Sequence, residues 1–230
     1  MLALLAVVAA CVPATGSAQQ RLTVEAPSAR ATTAVVRLWR REGRCWRETA
    51  GPWPAHVGRS GLSADRHEGD GTTPIGVFAL GPIVYGLDPK PTLRLAYHHL
   101  VCGDWWDEDP ASPTYNRFRH LACGASPPFG GGSEPLWKGN RAYRRFAVIE
   151  YNASPVVPGR GSAIFLHDDT GGPTNGCVSL PAAELDAVLR WLDPASSPQI
   201  AISVTATRQA TRPRDRPRPS RGRGRARKKH

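Results

Sequence analysis

The sequence has no apolar run long enough to hold it across a membrane. Its longest, residues 1–10, is almost entirely Leu, Ala and Val, and a spanning helix needs about 20 residues. Small residues at 16–18 fit a signal-peptidase cut before Gln19, and residues 8–11 fit a lipobox that would lipidate Cys11. We therefore expect a signal peptide over residues 1–18 and an exported chain, in the periplasm, cell wall or extracellular space. A lipoprotein attached through Cys11 and an uncleaved cytoplasmic chain are the alternatives.

Acidic residues are scarce, but the excess of positive charge belongs to one segment. The chain has 30 Lys and Arg against 19 Asp and Glu, a formal net charge of +11. Residues 208–230 hold eleven of these bases and one acid, so +10 lies in this tail and +1 in the rest. A segment of Arg, Pro and Gly cannot bury enough apolar surface to fold. We expect a disordered tail that contacts anionic wall polymers or a membrane surface rather than nucleic acid, or one that is merely solvated.

The usual ligand patterns for metals and phosphates are also missing. The histidines and cysteines that could be combined into a zinc site are His67, His98, His99, His120, Cys102 and Cys123. They form no Cys-x-x-Cys or His-x-x-x-His pair, so their spacing matches no standard site. The glycine-rich segments 69–71 and 130–132 lack the Lys-Ser/Thr ending of a phosphate loop. The sequence therefore predicts neither a metal nor an organic cofactor.

Cysteines number only five. An exported chain meets oxidising surroundings, where Cys102 and Cys123 could form a disulfide across the acidic, Trp-rich loop between them. Cys45, beside Trp46, is interpreted as buried. Cys177 would then remain a free thiol.

The composition favours many short strands over long helices, because the chain has 23 glycines and 22 prolines. Apolar or alternating runs predict strands at 32–39, 75–80, 93–101, 146–151, 163–166 and 199–206. Residues 181–193 form the clearest predicted helix, because their leucines and Val188 share one face. Residues 19–31 are interpreted as a linker.

Residues 102–140 are too long and irregular for a simple connection and are interpreted as a binding lobe. Trp105 and Trp106 lie there among several acids. This combination suits a cationic amine, and we expect the two tryptophans to line a substrate cleft or to cap a core.

One segment carries reactive residues in an informative order. The apolar run 163–166 ends on His167, and a loop with Gly171, Gly172 and Pro173 leads to Cys177. A thiol reacts as its thiolate, and a nearby imidazole can take its proton. The loop can turn sharply enough to bring the two together, and the helix that follows would favour a thiolate through its N-terminal field. The sequence predicts a cysteine nucleophile with a histidine base.

These residues resemble the catalytic domain of the L,D-transpeptidases, the YkuD-like cysteine enzymes of bacterial cell walls. The family pattern of a strand-end histidine, a glycine-bearing loop and Ser/Thr-x-Gly-Cys-hydrophobic is matched by His167 and residues 174–178. A second match is Thr-Pro-x-Gly-x-Phe at 73–78. The resemblance, over about residues 56–205, implies a catalytic domain at 32–207. Its fold would be mainly β, a sandwich or barrel of short mixed strands with one well-defined helix after the cysteine.

The resemblance also implies an activity. Such an enzyme is a transferase that cross-links or remodels peptidoglycan stem peptides through a thioester on Cys177, and so contributes to cell-wall organisation and cell shape. His167 would move the proton, and Asp168 would take the place of the residue that orients the imidazole, in the family often through its backbone carbonyl. The amides of Asn175, Gly176 and Cys177 would stabilise the oxyanion.

Thr174 joins Trp105 and Trp106 as a candidate for substrate contact. The family commonly has histidine at the position of Asn175 and arginine at that of Ser179, differences that concern substrate detail more than the chemistry.

Two alternative functions remain at this point. Water in place of the acceptor amine would make the chain an L,D-carboxypeptidase, and a decayed site would make it a non-catalytic wall-binding module.

Overall fold

Short β-strands make up most of the regular structure. The computed structural model describes residues 11–139 and 141–205. Its strands are β1 (Val12–Pro13), β2 (Gln20–Ala26), β3 (Thr33–Glu42), β4 (Cys45–His56), β5 (Leu62–Ser63), β6 (Thr73–Pro74), β7 (Gly76–Gly86), β8 (Ala96–His99), β9 (Asp104–Asp107), β10 (Arg117–His120), β11 (Glu134–Pro135), β12 (Phe146–Ile149), β13 (Phe165–Asp168), β14 (Val178–Leu180) and β15 (Gln199–Val204). The one α-helix of these described ranges, α1, spans Ala182–Trp191. The fold is mainly β, as the resemblance implied.

Eight of the strands close into a ring. Hydrogen-bonded neighbours follow the order β4, β14, β13, β12, β7, β15, β2 and β3, and β3 pairs in turn with β4. Closure pairs strand edges that would otherwise be exposed. The ring has its fewest paired residues between β14 and β4, where Ser179 pairs with His56. The site described below lies beside this link.

The central strands β12 and β13 are buried on both faces. Ala147 and Leu166 belong to one hydrophobic core, whereas Phe146 and Phe165 belong to a second, aromatic core. Helix α1 adds its apolar stripe to the first core through Leu185, Val188 and Leu189. Since side chains alternate along a strand, His167 shares the aromatic-core face with Phe165. Cys177 packs against that same core.

The segment after Cys102 forms a small lobe that covers this face. Its sheet has the order β10, β9, β11, and the Cys102–Cys123 disulfide that the sequence suggested is present at its base. Trp106 meets Phe165 edge-on, with ring centroids 5.0 Å apart. Leu136, fully buried, joins the same core. The lobe is therefore packed directly onto the strand that carries His167.

The interpretation of residues 19–31 as a linker is wrong for Gln20–Ala26, which form β2 between β3 and β15. Buried and half-buried residues alternate along β2, with Leu22 and Val24 fully buried. This is the period of two that a strand with one core face requires. The sequence reads as mixed and polar there because the outward residues are Arg, Thr and Glu.

The chain upstream of β2 also packs on the domain. Cys11 is bridged to Cys45, so Cys45 is not a free buried thiol. β1 pairs with β4, and Ala18 is fully buried. The signal peptide over residues 1–18 stays a prediction, but a cut before Gln19 would remove this part of the sheet. The Cys11 thiol that lipidation would need is occupied by the disulfide.

Most of the predicted elements are present with shifted ends. The predicted strands correspond to β3, β7, β8, β12, β13 and β15, and the predicted helix contains α1. β4 was missed, because Gly51 and Pro52 interrupt its pattern. The register with β3 shifts between Ala50 and Trp53, so Gly51 and Pro52 form a β-bulge.

Residues 1–10 and the predicted basic tail at 208–230 lie outside the described residues. Within the described ranges, α1 and the short 3-10 turns offer no helix with the length and apolar character to cross a membrane.

Candidate active site

His167 lies in β13 with its ring already oriented. Its Nδ1 is 2.7 Å from the backbone carbonyl oxygen of Asp168, and donation through Nδ1 leaves the lone pair on Nε2. The side chain is only 6% exposed. Burial lowers the pKa of His167 below its ordinary 6.5, and the contact with Asp168 opposes this only in part. At neutral pH the imidazole is therefore uncharged and able to accept a proton.

Asp168 acts on His167 through its backbone and not through its carboxylate. Both carboxylate oxygens are buried and have no hydrogen-bond partner among the described residues. Burial raises the pKa of Asp168, while Arg145 and Arg144 lower it. The contact with the His167 ring is therefore made by the backbone carbonyl group of Asp168.

Gly176 fixes the turn that presents Cys177. Its φ is +134°, a conformation that L side chains rarely adopt. A Cβ at this position would lie 2.4 Å from Nη1 of Arg66 and 2.8 Å from the carbonyl oxygen of Thr72. Only glycine fits between the cysteine turn and the 66–72 segment. The glycine before the cysteine is thus required by close packing as well as by backbone geometry.

The thiol of Cys177 is held by the backbone beside β13. Its Sγ donates to the carbonyl oxygen of Ala163 at 3.3 Å and accepts from the amide of Phe165 at 3.4 Å. Ala163 adopts a left-handed φ of +51°, a strained conformation for alanine that costs about 1–3 kcal/mol. The Asn116 side chain holds it there by accepting from the Ala163 amide at 3.1 Å.

Two cavities meet at Cys177. The larger, of about 420 Å³, is lined by Arg66, Glu68 and Glu108 among others. The smaller, of about 240 Å³, is lined by His167 and Thr170. Glu134, Tyr143 and Asn175 line both cavities. The thiol therefore lies at the junction of a two-sided cleft, with the histidine base on one side.

Burial dominates the electrostatics of the nucleophile. It raises the pKa of Cys177 to about 12, while the Phe165 amide and Arg66 lower it and Glu134 and Glu108 raise it. Burial therefore outweighs the influences that lower this pKa, and the resting sulfur is not a thiolate at neutral pH. The resting pair is instead a neutral thiol and a neutral imidazole, which suits proton transfer at the moment of attack.

A family model for the L,D-transpeptidase catalytic domain, YkuD, matches residues 27–205, a range that contains His167, Cys177 and both cavities. The chain belongs to this family. Searches of the curated proteins and of the solved structures returned no match. Membership rests on the family model.

In this L,D-transpeptidase domain, Thr174 braces the cysteine turn. Its Oγ1 donates to the carbonyl oxygen of Cys177 at 2.7 Å and accepts from the amide of Gly176 at 3.1 Å. The Gly176 amide is thus already bonded, which removes it from the oxyanion donors expected from the sequence. The amides of Asn175 and Cys177 remain the candidates. Thr174 lines the smaller cavity, but its hydroxyl is used within the turn.

The structure does not bring Trp105 or Trp106 to the thiol. Trp106 is 5% exposed and donates through Nε1 to the Asn116 side chain at 3.1 Å. It lines a separate cavity of about 270 Å³. Trp105 packs edge-on against Trp137 and Phe129. The lobe reaches the cleft through Glu108, Gly132 and Glu134 instead.

Two arginines of the 58–74 segment were not singled out from the sequence. Arg59 donates to the side chain of Asn175, and its amide donates to the carbonyl oxygen of Thr174 at 2.7 Å. Arg66 is 2% exposed and donates to the Thr72 carbonyl at 3.1 Å. The sequence signal that could have pointed to these two arginines is the second family motif at residues 73–78. This motif directly follows their segment and fixes it beside the cysteine turn.

His56 and Asp169 form a further contact at the rim of the barrel. Nδ1 of His56 is 2.8 Å from Oδ1 of Asp169, which also accepts from the Ser179 hydroxyl at 3.0 Å. Ser179 is where the family commonly has arginine. In this chain the position is fully buried and serves the β14–β4 link. Among the described residues, no group of three or more His, Cys, Asp or Glu is arranged to hold a metal ion.

Proposed function

We propose that the chain is an exported L,D-transpeptidase, a cysteine acyltransferase that cross-links or remodels peptidoglycan stem peptides. The observation that carries the proposal is the position of the Cys177 thiol where two cavities meet, with His167 lining one of them. A two-sided cleft suits a reaction that joins two peptides, because the acyl donor and the amine must both reach the nucleophile.

In the first half of the proposed reaction, Nε2 of His167 takes the thiol proton and the sulfur attacks the donor carbonyl carbon. A C–S bond forms, and the carbonyl oxygen becomes an oxyanion that the amides of Asn175 and Cys177 stabilise. Collapse of this intermediate breaks the C–N bond. The leaving amine takes the proton from the His167 imidazolium, and the thioester on Cys177 remains.

In the second half, an acceptor amine attacks the thioester carbonyl. His167 takes a proton from the attacking nitrogen, the C–N bond forms, and the C–S bond breaks. The thiolate then recovers its proton from the imidazolium. Water can follow the same course, so hydrolysis competes with transfer at one thioester. The leaving and the incoming amines both exchange protons with His167 and therefore occupy the smaller cavity, while the acyl group extends into the larger one.

The test is mass spectrometry of the purified full chain after incubation with a carbapenem, followed by peptide mapping. We expect a single covalent adduct on Cys177. Incubation with a donor tetrapeptide, with and without an acceptor amine, then compares amide product with hydrolysed donor. An unmodified Cys177 together with no donor turnover would refute the proposal. Hydrolysis alone at saturating acceptor would make the chain an L,D-carboxypeptidase.

A further inference from the structure

The side chain of Asn116 connects the lobe to the backbone that holds the nucleophile. Asn116 lies between β9 and β10, is 6% exposed and has a left-handed φ of +59°. Its Oδ1 accepts from the amide of Ala163 at 3.1 Å, and the carbonyl oxygen of Ala163 accepts from the Cys177 thiol at 3.3 Å. A single residue, Ala163, therefore separates this lobe side chain from the reactive sulfur.

The carboxamide of Asn116 is fully used. Its Oδ1 also accepts from Nε1 of Trp106 at 3.1 Å. Its Nδ2 donates to the carbonyl oxygens of Tyr151, at 3.1 Å, and Asn152, at 3.0 Å. A carboxamide offers two acceptor sites and two donors, so these four contacts fix both the position and the orientation of the group.

The lobe holds the segment before β13 at a second point as well. The amide of Gly161 donates to the hydroxyl oxygen of Tyr115 at 3.1 Å. Gly161 and Ala163 have φ values of +103° and +51°, so the segment is not yet extended where the lobe contacts it. Consecutive lobe residues thus accept the amides on either side of Ser162. The path of the backbone towards β13 is therefore set by the lobe.

Ala163 depends on this support more than Gly161 does. Glycine adopts a left-handed φ without cost, whereas a residue with a Cβ is strained there. Without an acceptor for its amide, Ala163 would relax towards a common backbone conformation, and its carbonyl group would turn away from Cys177. An acceptor on the S–H group stabilises the thiol relative to the thiolate. Loss of the contact should therefore release the sulfur and favour its ionisation.

We propose that Asn116 is a positioning residue for Cys177, because it fixes Ala163 in the conformation that aims the Ala163 carbonyl group at the thiol. The proposal rests on the proposed function, since it concerns the nucleophile of that reaction. The Ala163 carbonyl and the Phe165 amide hold the sulfur from two sides. Docking of the lobe is thereby linked to the place from which the sulfur attacks.

The first experiment removes the Asn116 side chain by Asn116→Gly, because glycine adopts a φ of +59° without strain. Alkylation of Cys177 by iodoacetamide at about pH 8 should become about threefold faster or more, the effect of half a pKa unit. Acylation by a carbapenem should become about tenfold slower or more, because the sulfur is no longer held for attack. Circular dichroism serves as the folding control. Any pattern other than these two opposite changes would overturn the proposal.

Asn152→Gly is the matched control. Asn152 also has a left-handed φ, +49°, but its side chain bonds to backbone groups of Val157 and Gly161. This variant should keep both rates within about twofold of the unmodified chain. Changes as large as those in Asn116→Gly would show that general loosening of the connection from β12 to β13 is responsible, and would refute the positioning role.

Rescue by glycine separates positioning of Ala163 from mere support of the lobe. Ala163→Gly permits the left-handed conformation without strain. In the Ala163→Gly background, Asn116→Gly should therefore have at least an about threefold smaller effect on acylation than in the unmodified chain. An undiminished effect would show that Asn116 acts by another route and would overturn the proposal. Where Asn116→Gly does not fold, Asn116→Ser replaces it, because the serine hydroxyl ends one bond short of the Ala163 amide.

An infrared measurement tests the thiol contact without turnover. Four of the five cysteines form disulfides, so the S–H stretching band of the chain comes from Cys177. After subtraction of Cys177→Ala, this band should lie at a lower frequency than that of ethanethiol in hexane, where the thiol has no acceptor. It should move to a higher frequency in Asn116→Gly and stay in place in Asn152→Gly. An unshifted band in the unmodified chain, or one that Asn116→Gly does not move, would overturn the proposal.

The two proposals fail in different ways. A chain that neither forms a carbapenem adduct nor turns over a donor would refute the proposed function. The infrared band and the alkylation rates would still decide whether Asn116 positions the thiol.

Discussion

The thiol of Cys177 donates to the carbonyl oxygen of Ala163, at 3.3 Å, and not to the imidazole of His167. This contact depends on the left-handed backbone of Ala163, which Asn116 maintains. The resting sulfur is therefore a neutral, hydrogen-bonded thiol. In the proposed reaction its proton must be redirected to His167 when a substrate enters the cleft, so that reactivity would depend on the geometry of the cleft and not on a preformed thiolate.

Replacement of the nucleophile gives the most direct prediction. Cys177→Ala should abolish both transfer and hydrolysis of a donor peptide, and Cys177→Ser should retain almost none, because a hydroxyl is far less acidic than a thiol. We expect a loss of about 10³-fold or more in kcat. Circular dichroism serves as the folding control. Near-normal turnover in folded Cys177→Ala would show that another residue attacks the donor.

The pH dependence of acylation should report His167. Because burial lowers the pKa of His167 below 6.5, the imidazole remains uncharged as the pH falls through the usual histidine range. The rate constant for acylation by a carbapenem should therefore hold to below pH 6.5 and decline only when His167 becomes protonated. Stopped-flow measurements from about pH 4.5 to about pH 8 check this. A midpoint at or above 6.5, with the fold intact, would contradict the assignment.

Local patterns in the sequence were sufficient to predict α1 and to place His167 and Cys177 at one cleft. His167, Gly176 and Cys177 lie in one segment, and the apolar spacing of α1 is visible in its own residues. That Glu108 and Glu134 line one cavity with Cys177 could not be predicted, because the two residues come together only through the pairing of β9 with β11. The raised pKa of Cys177 was equally hidden. It depends on burial under a lobe whose packing the sequence does not reveal.

Gly176→Ala tests the packing behind the nucleophile. The new Cβ would lie 2.8 Å from the backbone carbonyl oxygen of Thr72, in a backbone conformation that disfavours alanine, so the turn must shift. We expect a stability loss of about 1–3 kcal/mol and a loss of acylation of about 10²-fold. Gly172→Ala is the matched control, because a Cβ there meets no atom within 4 Å. Thermal unfolding and carbapenem acylation measure both variants, and equal behaviour of the two would be inconsistent with this packing.

The Cys11–Cys45 disulfide predicts where the folded domain begins. It closes a segment with a sequence separation of 34, for which a stabilisation of about 3–4 kcal/mol is expected. A chain that starts at Gln19 should therefore unfold at a lower temperature than one that starts at Cys11. The double variant Cys11→Ser/Cys45→Ser separates the bridge from the pairing of β1 with β4. Identical melting temperatures for all three proteins would show that residues 11–18 contribute nothing to the fold.

The basic tail at 208–230 should act as a tether and leave the chemistry untouched. Its formal charge of +10 is attached to a body of about +1, so attraction to anionic wall polymers or lipid headgroups would come from the tail. This attraction should weaken with salt, because the screening length falls from about 8 Å at physiological ionic strength to about 3 Å at 1 M. Deleting residues 208–230 should leave turnover of soluble peptides unchanged and reduce sedimentation with isolated walls at low salt. Equal cosedimentation of the full and shortened chains would refute the tether. A large loss of soluble turnover would mean instead that the tail packs on the domain and supports the site.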